Sequence, residues 1–135
     1  MDLLAVLELI QNPNSETRKS AETCLIDLEK KDYAKFNLEL SKILSQENLN
    51  PEMRRLGGLI LKNKINNFWE NNLEQPKKDY FFDEKTSVKE EIKKNVIKVL
   101  NSSNKFVRRT ASQVLAKISQ IEISKKQNIE LISFL

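Results

Sequence analysis

Few side chains in this sequence could support catalysis. The chain has no histidine and only one cysteine, Cys24, so it lacks the Ser–His or Cys–His pair that activates a nucleophile. Histidine-based metal sites and thiolate cages for zinc are excluded for the same reason. We therefore predict that the protein is not an enzyme and has no catalytic residue, no metal ligand and no cofactor.

Two adjacent glycines, Gly57 and Gly58, are the next candidates for a chemical role. They are the only glycines in 135 residues, and they lie in a stretch, RRLGGLIL (54–61), that otherwise has helical character. A phosphate-binding loop would place glycines between a strand and a helix or in a GxxxxGK[ST] motif, and neither arrangement is present. Close packing of this helix against another is the interpretation that we favour.

The stretch around the glycines is one of three similar segments. Each has an arginine, a following basic residue, a small residue at the fourth position and a leucine at the eighth: RKSAETCL (18–25), RRLGGLIL (54–61) and RRTASQVL (108–115). The small residue is Ala21, Gly57 or Ala111, which is typical of a position where another helix comes close. We expect Arg18, Arg54 and Arg108 to have a structural role, bonding an acid or a carbonyl of the adjacent repeat.

Amphipathic segments lie around and between these three copies. Apolar spacings of three and four residues predict a first helix in MDLLAVLELIQN, A helices near 15–29, 51–68 and 104–120, and B helices near 33–46, 86–100 and 125–135. Helix-start signals are Asn50 before Pro51, Ser87 with Glu90 three residues later, and Ser103 or Asn104. The segment at 70–85, which contains a proline and mixed charges, is predicted to be a loop.

The predicted fold is all-α, an α-solenoid of HEAT-like antiparallel helix hairpins, because such hairpins bury their apolar faces only by stacking. Repeat 1 covers about 1–47, repeat 2 about 50–101 with the loop at 70–85, and repeat 3 about 103–135. The third repeat reaches the end of the sequence with Phe134 and Leu135 still apolar. We interpret the chain as the N-terminal part of a longer solenoid.

The net charge of +4 is unevenly distributed along the chain. Residues 1–50 carry 6 basic and 9 acidic side chains, whereas residues 101–135 carry 6 and 2. Solvated lysine-rich faces explain this basic half, and an acidic or nucleic-acid partner is the alternative. Lysines outnumber arginines 18 to 5 without interleaved aromatics, so nucleic acid is not favoured. No apolar run approaches 18 residues, and we expect no membrane insertion.

The second repeated segment begins a recognisable motif. Arg54, Gly57, Leu61, Lys62, Asn63 and Ile65 resemble the Arg-x-x-Ala…Leu-Lys-Asn-x-Ile signature of the importin-β (karyopherin-β1) family, in its N-terminal domain. The similarity extends over essentially all 135 residues. Gly57 replaces the usual alanine, and the pI of about 9.1 departs from the usual acidity of the family.

The resemblance implies a nuclear transport receptor of HEAT repeats in the cytoplasm, in the nucleus and at the nuclear pore. Such a receptor carries cargo through the pore and releases it on binding Ran-GTP, partly through the B helices of its first repeats. Importin-α or direct cargo, and Phe-Gly nucleoporins, would bind repeats further along. The alternatives are a transportin- or exportin-type karyopherin and a basic RNA-binding α-solenoid, whose affinity would fall steeply with salt.

The predicted Ran-binding surface is the side of each B helix opposite its apolar stripe. In 33–46 this side carries Leu38 and Lys42, with Ala34, Ser41 and Ser45, and in 86–100 it carries Glu90, Lys94 and Ile97. Leu38 and Ile97 are large apolar residues where water is expected, which either a partner or the neighbouring repeat explains. The resemblance selects the B helices, and the periodicity selects the residues.

The glycine interpretation generates a first prediction. A Gly57→Leu substitution should destabilise the protein more than Gly57→Ala, because overpacking a close helix contact costs about 1–3 kcal/mol whereas alanine should gain slightly in helix propensity. Thermal melts of the two variants compare them directly. Equal tolerance of leucine and alanine would contradict a close contact at this position.

Overall fold

All regular structure in the described residues is α-helical. The computed structural model describes the backbone of residues 2–71 and 82–134 and the side chains of residues 2–69 and 88–124. Over these ranges there is no strand, and six helices follow one another: α1 (Leu3–Ile10), α2 (Ser15–Lys31), α3 (Tyr33–Ser45), α4 (Pro51–Asn71), α5 (Phe82–Val99) and α6 (Lys105–Phe134). The all-α prediction is confirmed.

The helix boundaries agree with the sequence pattern in the first half and differ in the second. The predicted loop at 70–85 is too long, because α4 continues to Asn71 and α5 begins at Phe82; residues 72–81 lie outside the described residues. Ser87 consequently lies within α5 and does not cap its N-terminus. A separate B helix at 125–135 is also wrong, since α6 is continuous through residue 134. Residues 105–134 contain no glycine or proline to end a helix.

An asparagine caps each of the three repeated helices. The Oδ1 atoms of Asn14, Asn50 and Asn104 accept backbone N–H groups of the first turn at 3.0, 2.7 and 2.9 Å. Such a cap contributes about 1 kcal/mol relative to alanine. Each asparagine precedes the repeated arginine by four residues, so Asn-x-x-x-Arg is a longer form of the repeat than the one we found in the sequence.

The repeated arginines bond backbone carbonyls ahead of their own helices. Arg18 donates to the carbonyls of Asn12 and Pro13, at 3.1 and 2.8 Å, and Arg108 donates to that of Ser102 at 2.8 Å. Arg54 donates from Nε to the carbonyl of Leu44 in the last turn of α3, at 2.9 Å. The prediction of a carbonyl partner in the adjacent repeat is confirmed for Arg54 alone. Arg18 and Arg108 also bond backbone carbonyls, but in the segment just before their own helices.

The helices pack in the order expected of stacked hairpins. The A helices α4 and α6 contact each other, and so do the B helices α3 and α5, while α3 also packs against α4. Fully buried side chains at these contacts include Leu40, Leu44, Leu61, Ile65, Ile92, Val96, Val107 and Val114. One apolar core therefore runs through α3, α4, α5 and α6 and positions their outer faces.

Trp69 closes the far end of this core. Its ring is buried and meets Phe68 edge to face, with centroids 6.0 Å apart. Its Nε1–H donates to Glu122 of α6 at 3.0 Å, and the same carboxylate pairs with Lys93 of α5 at 2.8 Å. Trp69 thus lies at the junction of α4, α5 and α6, as expected for a residue that covers a seam between repeats.

Both glycines lie at helix contacts. A Cβ atom at Gly57 would come within 2.9 Å of Ile43 Cγ2 on α3, and one at Gly58 would come within 2.5 Å of Thr110 Cγ2 on α6. The packing interpretation is therefore correct, and Gly58 has the tighter contact. The expectation that alanine would be accommodated at Gly57 needs correction, because its methyl group would press on the branched carbon of Ile43.

We predict that Gly58→Ala lowers the free energy of unfolding by about 1–2 kcal/mol, because overpacking outweighs the gain in helix propensity. The Thr110 methyl group cannot swing aside easily, since Thr110 Oγ1 donates to the carbonyl of Phe106 at 3.1 Å and fixes the rotamer. Urea unfolding monitored by circular dichroism measures the loss. In a Thr110→Ser background, which keeps the hydroxyl and removes the methyl, the loss should shrink. An equal loss in both backgrounds would show that Thr110 is not the obstacle.

Candidate partner-binding surfaces

A buried hydrogen bond fixes the position of the two B helices relative to each other. Asn95 Nδ2 on α5 donates to Ser41 Oγ on α3 at 3.0 Å, and Ser41 in turn donates to the carbonyl of Leu38 at 2.7 Å. Both side chains are buried, so breaking this bond would leave a desolvated polar group. Lys42 follows Ser41 and Lys94 precedes Asn95, which places the two lysines at the same level of neighbouring helices.

Four of the five predicted Ran-binding residues are exposed on these helices. Lys42 lies on α3, and Glu90, Lys94 and Ile97 lie on α5, with Ile97 52% exposed. The three α5 residues line one shallow depression together with Glu91, Lys93 and Lys98. This B-helix face, as we call Lys42, Glu90, Lys94 and Ile97, combines an apolar centre with charges of both signs.

Leu38 and Ser41 differ from their expected outward positions. Leu38 is half-buried and packs against the apolar core, and Ser41 is fully buried at the contact between α3 and α5. The apolar periodicity predicts one buried stripe, which corresponds to packing against a single neighbouring helix. In the structure α3 is covered by α4 on one side and by α5 on another, so more of its surface is buried. Packing against the apolar core therefore accounts for part of the surface of Leu38.

The residues of the family signature have two different environments. Arg54, Gly57 and Leu61 are buried and hold α4 against its neighbours. Lys62 is half-buried and Asn63 is exposed, so these two remain available at the surface of α4. The signature thus contains buried packing residues and, directly after them, polar surface residues. The sequence alone does not show which residues belong to which group.

Arg54 is a buried charge held by one hydrogen bond. Its side chain is 4% exposed, and burial lowers the pKa of the guanidinium, an effect that nearby Glu47 partly opposes. The Nη2 atom has no hydrogen-bond partner among the described residues. Because arginine stays protonated well above neutral pH, Arg54 is a permanent positive charge at the C-terminal end of α3, where the helix dipole favours it.

Metal clusters and membrane spans were the other features sought in the described part of the chain. No group of three or more acidic, cysteine or histidine side chains that could hold a metal ion occurs there. None of the helices in the same residues has the length and apolar character needed to cross a membrane.

An exposed aromatic residue escaped the sequence analysis. Phe106 on α6 is 51% exposed, and the guanidinium groups of Arg55 and Arg109 lie over its ring. The sequence contained a signal for this exposure. Phe106 does not share the helical spacing of three and four residues that links Val107, Ala111 and Val114, which are buried on the same helix. An aromatic side chain outside the apolar stripe of a helix is a candidate contact residue.

Comparison with known proteins agrees with this arrangement. The family that matches is described as the importin-β N-terminal domain, over residues 21–102. Importin subunit beta-1 of Arabidopsis thaliana is 32% identical over 137 residues, which include 98% of this chain and 15% of that protein.

Three solved structures resemble the fold. The first is Kap95p, whose binding induces the switch loops of RanGDP to adopt the GTP-bound conformation. The sequence identity is 27% and the TM-score is 0.73, over 96% of this chain and 15% of that one. The second is a Kap95:Nup1 complex, with 28% sequence identity and a TM-score of 0.71. The match covers 89% of this chain and 14% of that one. The third is importin beta crystallised in an ammonium sulfate condition, with 23% sequence identity and a TM-score of 0.76. The match covers 98% of this chain and 15% of that one, and at this identity it supports the fold alone.

The packed helices define an α-solenoid of HEAT repeats, the architecture of these structural neighbours. The chain belongs to the importin-β family of nuclear transport receptors and contains its N-terminal domain. It spans about 15% of the length of the relatives that it matches.

The environment of Arg54 generates a prediction. An Arg54→Met substitution keeps most of the apolar volume but leaves the Leu44 carbonyl without its donor, and should cost about 1–3 kcal/mol of folding stability. Arg108→Met is the matched control, because that arginine is only half-buried and its loss should cost less. Urea denaturation curves of both variants provide the comparison. A larger loss for Arg108→Met would contradict the importance of the buried bond.

Proposed function

We propose that this chain is the Ran-GTP-binding portion of an importin-β-like transport receptor, and that the B-helix face contacts Ran. In the whole receptor, Ran-GTP binding would release cargo that has been carried through the nuclear pore. The observation that carries the proposal is the exposure of Lys42, Glu90, Lys94 and Ile97 on two B helices held in register by the bond between Ser41 and Asn95. The likeness to Kap95p, a protein that binds Ran, supports it.

The chemistry of the B-helix face suits a protein partner. Ile97 supplies an exposed apolar side chain, and the charged side chains of Lys94 and Glu90 lie one and two turns before it on α5. Apolar centres surrounded by charges are typical of interfaces in which a few residues carry most of the binding energy. A small interface must still offset the entropy of association, so we expect affinity in the micromolar range or weaker for these 135 residues.

Importin-α or direct cargo and Phe-Gly nucleoporins are further partners in this proposal. They would bind repeats beyond those of this chain, and the receptor would move between cytoplasm and nucleus. The Kap95:Nup1 complex supports a nucleoporin partner for a related receptor. The transportin- and exportin-type alternatives share the same N-terminal domain and would use the same B-helix face.

The proposal predicts that Ile97→Asp weakens binding to Ran-GTP by at least about fivefold, or ~1 kcal/mol, through loss of apolar contact and burial of a charge. Ile97 is a sharper probe than Leu38, because Leu38→Asp would also disturb the core against which Leu38 packs. Binding of this chain to Ran loaded with a non-hydrolysable GTP analogue or with GDP is measured by titration, and the GTP form should bind more tightly.

Ile26→Asp is the matched control for this experiment. Ile26 is 46% exposed on α2, outside the B-helix face, and the substitution makes the same chemical change. The control should leave Ran affinity and the melting temperature unchanged. Equal weakening by the two variants would place the contact elsewhere, and equal binding of both nucleotide states would contradict a Ran-GTP site.

A further inference from the structure

A second surface lies on the A helices α4 and α6, apart from the B-helix face. Its centre is the ring of Phe106, and the guanidinium carbons of Arg55 and Arg109 lie 5.6 and 5.9 Å from the ring centroid. Stacking on an aromatic ring holds a guanidinium in place while its N–H groups stay accessible. The two arginines come from different helices and converge on one exposed residue.

Neither arginine is neutralised by the described residues. Within those residues, the ion pairs join Lys64 to Glu29 and Lys93 to Glu122, and neither involves Arg55 or Arg109. Residues 55–69 of α4 and 105–121 of α6 contain no aspartate or glutamate, and Glu52, one turn before Arg55, is the acidic residue nearest to it along α4. Since no ion pair within the described residues joins Glu52 to either arginine, the two guanidinium groups retain charged N–H donors for an anionic group from another molecule.

Apolar and amide side chains continue this surface along the helices. Leu59 follows Arg55 by one turn of α4 and is 38% exposed, and Asn63 follows by another turn and is also exposed. On α6, Gln113 is exposed one turn after Arg109. Amide side chains both donate and accept hydrogen bonds, as a peptide backbone requires of its partner.

We propose that this A-helix face, formed by Arg55, Leu59, Asn63, Phe106, Arg109 and Gln113, binds an acidic peptide segment that carries one large apolar side chain. Carboxylates of the peptide would pair with the guanidinium forks of Arg55 and Arg109, a match of planar geometries. The apolar side chain would pack on Phe106 and Leu59. This binding is separate from the proposed Ran site and does not require Ran.

The surface favours a peptide over a nucleic acid. Single-stranded nucleic acids bind to a series of aromatic rings along a track of cations. Phe106 is the only exposed phenylalanine, tyrosine or tryptophan among the described side chains, and the two arginines converge on it rather than forming a track. Leu59, one turn after Arg55, also suits an apolar side chain better than a phosphate backbone.

Fluorescence anisotropy with the whole chain tests the inference. The probe is a labelled synthetic peptide of alternating aspartate and glycine with one central phenylalanine. We expect Arg55→Gln/Arg109→Gln to weaken its binding by about tenfold or more, since charge-assisted bonds are lost. Phe106→Ala should weaken it several-fold. Arg55→Lys/Arg109→Lys, which keeps the charge but removes the planar fork, should also weaken it.

The matched control is Lys19→Gln/Lys30→Gln, which removes two positive charges from exposed positions of α2. It should change peptide binding by less than about twofold, an effect of long-range charge alone. All substituted side chains are exposed, and circular dichroism melts should show unchanged folding except for a small effect at Phe106.

Three results would overturn the inference. The first is equal weakening by the control and by the arginine double variant, which would reduce the effect to net charge. The second is equal binding of a peptide with alanine in place of the phenylalanine, which would remove the apolar contact. The third is tighter binding of an oligouridylate than of the peptide, with loss in the Phe106→Ala variant, which would assign the surface to single-stranded RNA. Failure of Ran binding has no bearing on any of these measurements.

Discussion

The close approach of α4 to two other helices is the constraint on which the rest of the structure depends. Gly57 faces Ile43 of α3, and Gly58 faces Thr110 of α6. Successive residues of a helix point about 100° apart, so two adjacent glycines open two sides of α4 at the same level. One A helix can therefore contact the B helix of the preceding repeat and the A helix of the next. The outer faces of α3, α5 and α6 take their positions from that contact.

Much of this arrangement could be predicted from the sequence. Periodicity gave the type of the helices and the positions of most of them, and the repeated small residue gave the contact at Gly57. Resemblance, rather than periodicity, pointed to the transport receptor family. The helix boundaries in the second and third hairpins could not be predicted as well. A helix continues where no glycine or proline ends it, as in α6.

The candidate surfaces were predicted in part, for a physical reason. A helix inside a solenoid has neighbours on more than one side, so its buried area is wider than a single apolar stripe. Ser41 and Asn95 are polar and nevertheless buried, because each satisfies the other across α3 and α5. Phe106 shows the reverse case, an aromatic side chain left outside, with cations over its ring in place of apolar neighbours. Whether a side chain is polar or apolar therefore does not by itself show whether it is exposed, because the answer also depends on the residues that it contacts in the fold.

The weak attachment of α2 has a consequence for how the chain loses structure. Only Ala21 and Glu29 are buried in this helix, and Glu29 is held by an ion pair to Lys64 of α4 at 3.2 Å. In a repeat protein each unit is stabilised mainly by its nearest neighbours, and local opening follows the contacts that are fewest. Fraying should begin at α2 while α3 and α4 remain folded. Within the first repeat, α2 would then change its angle while α3 stays packed against α4 at the level of the two glycines.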